Sequence, residues 1–141
     1  MKFIKNTAVL LSAALLSLSL SAYEVKGESF EVTGELMNLN LTDEGGVITI
    51  SSNAGRYGKV FLTYNVTVSP SDPSRGYFSG KGIGFNDEGE RNVGNRQGVF
   101  TREGTVIKFY SLDNVSDGNI NYCESVLDLR TGSFNMTFYP L

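Results

Sequence analysis

The sequence predicts an all-β fold, a single antiparallel meander of about eight strands that closes or nearly closes into a small β-barrel. Three observations point there. Apolar residues alternate with polar ones at the strand period of two rather than at the helical period. Glycine and polar clusters interrupt the alternation at short intervals, and no stretch beyond residue 22 makes a convincing amphipathic helix. Full closure removes the edges such a sheet would otherwise expose, which favours a barrel over a sandwich. No solenoid or propeller period recurs, and no second composition regime marks another domain.

In chain order, Lys2 and Lys5 lead into the apolar run Thr7–Leu20 and the small Ser21 and Ala22, the pattern of a secretory signal peptide. The run is shorter than the ~20 residues of a membrane-spanning helix and lacks a charged stop-transfer flank. Residues 1–22 are therefore expected to be cleaved, after Ser21 or after Ala22. The mature chain is expected outside the cytoplasm, periplasmic or secreted, with no transmembrane segment. Residues 23–28 read as a loose lead-in and 29–141 as the barrel domain.

The first strand shows in Phe30, Val32 and Leu36 alternating with Glu31, Thr33 and Glu35, and Gly45–Gly46 precedes a short second strand, Val47–Ser51. The third is the clearest: Val60, Leu62, Tyr64, Val66 and Val68 share one face over 59–68. Pro70 and Pro73 mark Ser69–Arg75 as a loop. In Gly76–Phe85, Gly80, Gly82 and Gly84 lie on one face, as in a strand that bends sharply or receives an overlying aromatic. After an acidic loop Asn86–Gly94, strands near Arg96–Arg102 and Thr105–Leu112 flank a turn at Glu103–Gly104, which would set Phe100 against Ile107 and Gly98 against Phe109. The last hairpin joins Ile120–Asp128 to Ser133–Tyr139 through Leu129–Gly132, with Gly132 left-handed and Leu127 opposite Phe134. That register puts Cys123, Ser125, Leu127, Phe134, Met136 and Phe138 on the inner face.

Cleavage leaves 119 residues, a length that supports one core, and ten basic side chains against 15 acidic ones, a net charge of −5 that argues against a nucleic-acid partner. The lone Cys123 cannot form an internal disulfide and reads as a small buried hydrophobe rather than a reactive thiol or an intermolecular bridge. The absence of histidine removes Ser-His-Asp and Cys-His catalysis and histidine-ligated zinc, and no catalytic residue or cofactor is assigned. Asp113–Glu124 places Asp113, Asp117, Gly118, Asn121 and Glu124 at calcium-loop positions, but Val115 stands where the third ligand belongs and the flanks alternate like strands. It reads as a hairpin loop, and no metal site is expected. Asp87, Glu88 and Glu90 read as solvated loop charges rather than a paired-carboxylate centre. Asn40, Asn65, Asn114 and Asn135 each begin an Asn-x-Ser/Thr match, which matters only in a eukaryotic secretory pathway.

An eight-stranded barrel is the size at which side chains fill the interior or leave room for one small ligand. The polar residues expected inside are Tyr64, Arg96, Cys123 and Ser125, of which Tyr64, Arg96 and Ser125 are the candidate ligand-binding set. An inward Arg96 would need a carboxylate or an anionic ligand; an arginine at a strand mouth reaching water is the commoner arrangement.

The segment Gly76-Tyr77-Phe78-Ser79-Gly80-Lys81-Gly82 resembles the Gly-x-Phe-x-small-x-Gly stretch of small secreted barrels of the allene oxide cyclase and dirigent, calycin-like type. The resemblance covers that strand and otherwise the strand count. It implies an antiparallel eight-stranded barrel with a pocket for a hydrophobic or phenolic molecule, often in a homo-oligomer; no catalytic position carries over. The expected function is therefore binding of a small apolar or amphipathic molecule. The alternatives are a cyclase- or isomerase-type barrel enzyme, or an adhesive or structural surface protein with a filled barrel.

Overall fold

The structure, a computed structural model, describes Val25 and residues 27–141. The signal peptide 1–22 and most of the lead-in lie outside the described residues. Eight antiparallel strands follow one another: β1 (Phe30–Thr42), β2 (Gly45–Asn53), β3 (Lys59–Ser69), β4 (Asp72–Phe85), β5 (Arg91–Glu103), β6 (Val106–Val115), β7 (Ile120–Asp128) and β8 (Ser133–Pro140). Each pairs with its neighbour in sequence and β8 pairs with β1, so the meander closes into a barrel. Among the described residues, the one helical element is a 3-10 turn, Gly55–Tyr57, between β2 and β3. Among the described residues, no helix is long and apolar enough to cross a membrane.

Several boundaries differ from the sequence reading; β6 runs on through Asp113 to Val115, inside the expected hairpin loop, and four others differ for local reasons. β1 continues to Thr42 because a bulge between Leu36 and Asn38 breaks the alternation and then restores pairing, with Leu39 opposite Ile48. β2 includes Gly45 and Gly46 and extends to Asn53, so the turn falls on Asp43–Glu44. β4 starts at Asp72, inside the expected loop. Pro73 is tolerated there because the β3–β4 register is irregular between Ser69 and Val68, and no ladder bond is asked of its missing N–H. The acidic loop is only Asn86–Glu90: Arg91 to Asn95 already pair with β4, from Phe85 back to Lys81.

The β5–β6 register also differs. Glu103 pairs with Val106, so the turn is Gly104–Thr105, and Phe100 meets Phe109 rather than Ile107 while Gly98 meets Ser111. Gly104 adopts φ 59° as the first of the two central residues, a position for which glycine is suited and glutamate is not. The β7–β8 hairpin has the expected register, with Leu127 opposite Phe134 and Gly132 at φ 77°.

The core divides along the barrel axis. Tyr64, Phe78, Phe109 and Phe134 are buried together, with the Tyr64 ring 4.2 Å from that of Phe109 and 5.0 Å from that of Phe78, centroid to centroid. Ile48, Leu127, Phe100 and Ile107 extend this packing toward the end that carries the β1–β2, β5–β6 and β7–β8 turns. Towards the opposite end, where the 3-10 turn and the β6–β7 loop lie, Gly82, Gly84 and Gly94 line the wall and the filling gives way to a cavity.

Candidate functional site

Register builds the site. Arg96 on β5 is directly opposite Asp113 on β6, which is opposite Asn121 on β7, so the three form one row across the inner wall. Arg96 is 2 % exposed, and its Nε donates to Asp113 Oδ2 at 2.8 Å. Ser111 Oγ donates to Asp113 Oδ1 at 2.9 Å and Cys123 Sγ to Oδ2 at 3.3 Å, so the carboxylate accepts from three neighbours. The guanidinium lies over the Tyr64 ring, its Cζ 4.6 Å from the centroid, with Nη2 3.8 Å from Met136 Sδ and 3.4 Å from Ser111 Oγ. An arginine lodged among aromatics would be untenable unpaired; the cross-strand carboxylate makes it tolerable.

These contacts set the protonation states. Burial works against the Arg96 charge, but its neighbours Tyr64, Asp113 and Cys123 outweigh that and raise its pKa. Burial, reinforced by Asp113, pushes the Cys123 thiol well up, and burial likewise raises the Tyr64 phenol. Both are neutral at ordinary pH. The Tyr64 hydroxyl faces Ser125 and Arg96 without closing a hydrogen bond to either. Tyr64 Oη, Ser125 Oγ, Arg96 Nη1, Asn121 Oδ1 and Ser52 Oγ are thus buried polar atoms with no partner.

Beyond the ion pair, on the side of the 3-10 turn, lies a cavity offering about 60 Å³ to the centre of a water-sized sphere. At ~10–15 Å³ per water in that measure, this is room for about four waters, or a molecule the size of a single six-membered ring. Leu62, Val60, Met136 and Phe138 supply apolar walls, and Arg96, Asp113 and Asn121 the polar side. The space exists because glycines face it: a Cβ on Gly94 would meet nothing nearer than Val115 Cγ2 at 3.7 Å. Gly80 and Gly98 have another role, since a Cβ there would fall 1.8 Å from a neighbouring carbonyl oxygen. Over the rim, Tyr57 donates from its hydroxyl to Asp117 Oδ2 at 2.9 Å, and Arg56 lies 3.7 Å from the same oxygen, tying the 3-10 turn to the β6–β7 loop.

Of the three candidate binding residues, Arg96 alone lines this cavity. It is buried and carboxylate-paired rather than at a strand mouth reaching water. Tyr64 contacts Arg96 from the packed side of the barrel, and Ser125 sits beside the Tyr64 hydroxyl. Asp113, read in sequence as the first position of a calcium-like loop, faces inward to Arg96. Glu124 lies on the outer face, accepting from Tyr122 Oη at 3.0 Å, and Asp117 is at the rim. These carboxylates face opposite sides of the wall. Sequence reasoning missed Asp113, Ser111, Asn121 and the cavity-lining Gly94; the usable signal was the turn, because placing it at Gly104–Thr105 sets Arg96 opposite Asp113.

No protein-family model matches the chain, and neither a curated protein nor a solved structure matches it significantly.

Proposed function

We propose that this chain is a secreted or periplasmic β-barrel that binds a small apolar or amphipathic molecule in the cavity beside Arg96, without transforming it. One observation carries the reading: at the end of the barrel beside the 3-10 turn the aromatic and aliphatic filling gives way to a largely apolar cavity, lined by glycines and floored by a fixed ion pair. Binding is preferred to catalysis because the Cys123 thiol and the Tyr64 phenol beside Arg96 are held protonated and the Asp113 carboxylate is engaged by Arg96, Ser111 and Cys123. The extracytoplasmic assignment rests on the leader pattern of residues 1–22.

The test is native mass spectrometry of the protein purified from its own host, alongside Gly94→Leu, whose side chain would occupy the cavity while its Cβ meets only ordinary contacts. A retained small-molecule mass on the wild type, absent from the folded variant, is expected. Wild type and variant both appearing at the bare polypeptide mass would leave the filled-barrel structural reading in its place.

A further inference from the structure

Resting on that binding reading, we infer that the ligand is an electrically neutral, ring-sized molecule carrying a hydroxyl or an equivalent group that both accepts and donates a hydrogen bond. Charge bookkeeping gives the first part. Among the residues that line the cavity, the side chains charged at neutral pH are Arg96 and Asp113, already joined at 2.8 Å. Cys123 and Tyr57 also line it, and both keep their protons at neutral pH, since their ordinary pKa values of 9.0 and 10.0 already lie above it and burial raises them further. At the rim the charges are again paired, Arg56 with Asp117. A carboxylate or ammonium entering this space would bring a charge that nothing inside remains to neutralise, and would lose its hydration among apolar walls.

The unused hydrogen-bonding capacity gives the second part. Two side chains that line the cavity each hold a buried polar atom without a partner: Arg96 Nη1, a donor, and Asn121 Oδ1, an acceptor. They belong to the same three-residue row, Arg96 on β5 and Asn121 on β7, with Asp113 of β6 between them. Unpaired buried polar atoms are costly, and a ligand that satisfies them recovers that cost on binding. A hydroxyl can accept from the guanidinium and donate to the amide oxygen. A hydrocarbon of the same size does neither.

The experiment measures affinity by calorimetry at pH 7 for matched ring compounds: phenol and cyclohexanol, toluene as the apolar control, and benzoate and benzylamine as the charged ones. Phenol and cyclohexanol are expected to bind about tenfold more tightly than toluene, benzoate or benzylamine. Asn121→Ala should weaken phenol several-fold while leaving toluene unchanged. Benzoate or benzylamine binding as tightly as phenol would overturn the neutral-ligand inference and leave the binding site standing; toluene matching phenol would overturn the hydrogen-bonding part alone. Failure of every probe to bind wild type would remove the cavity as a ligand site and this inference with it.

Discussion

At the scale of single residues, Arg96 and Asp113 are coupled by burial: each is acceptable inside the barrel because the other is there. Asp113→Ala leaves a buried guanidinium unpaired and is expected to destabilise by about 3–5 kcal/mol in urea titrations, whereas Arg96→Met combined with Asp113→Leu should recover most of that loss. A double variant as unstable as the single one would mean that the pair's shape, not its charge, supports the fold. Tyr64→Phe is expected to go the other way. Its hydroxyl is buried without a bond, so its removal should be neutral or stabilising by up to about 1 kcal/mol. Cys123 inside the barrel and Tyr122 on its outer face set an alkaline limit. Burial raises Cys123 from an ordinary 9.0, and burial followed by the bond to Glu124 raises Tyr122 from 10.0 to about 12. The folded state holds these protons more tightly than the unfolded chain, so the contribution is full below the unfolded pKa and is lost as pH rises toward the folded one. Melting temperature should therefore decline from about pH 9 upward, and Cys123→Val should flatten the first part of that decline.

At the scale of the elements, β3 shows how far a period of two reaches. Its inner face, Val60, Leu62, Tyr64 and Val66, is buried as the alternation implies, and Leu62→Ala should cost about 2–5 kcal/mol. Thr63 points outward but carries a bond that alternation does not reveal: its Oγ1 accepts from the Lys81 backbone N–H at 3.0 Å, where the β3–β4 register pairs are interrupted. Thr63→Ala is therefore expected to cost about 1 kcal/mol by chemical denaturation, while Thr63→Ser retains most of the bond. The barrel is legible because strands, turns and inner faces follow from local pattern, as the β7–β8 hairpin shows through Gly132 alone. The candidate site is not, because it depends on pairing across strands. Moving the β5–β6 turn by one residue changes the residue opposite Arg96 from Ser111 to Asp113 and converts a solitary arginine into half of an ion pair. Asp113 is hidden further because it opens an Asp- and Asn-rich run whose composition suggests a loop, while its position on β6 sends it indoors. The glycines are equally ambiguous in sequence: Gly80 and Gly94 look alike, yet one yields to a neighbouring carbonyl and the other leaves open space.

At the scale of the whole molecule, closure is uneven. The β1–β8 seam is held over Phe30–Glu35, while β4 and β5 pair continuously from Arg75 to Phe85. Beyond Leu36, whose N–H donates to the Gly132 carbonyl at 2.7 Å, β1 pairs with β2 alone. A closed sheet unfolds most cheaply where the fewest bonds must break, and local opening draws on such low-stability segments. Backbone amides of residues 38–42 should thus exchange hydrogen fastest within the strands, and those of β4–β5 should be protected close to the global limit. Val32, 2 % exposed and opposite Met136, tests whether the seam is an independent unit. Val32→Ala should cost about 1–3 kcal/mol and accelerate exchange in β1 and β8 while β4–β5 keep their wild-type protection in native conditions. Uniform acceleration in all eight strands would show instead that the barrel opens as one cooperative unit. Because the cavity is walled by Met136 and Phe138 of the seam strand β8 as well as by Arg96, selective opening would also give a ligand a way in that leaves the aromatic half of the barrel packed. Phenol at saturating concentration should then slow exchange in β8 more than in β4.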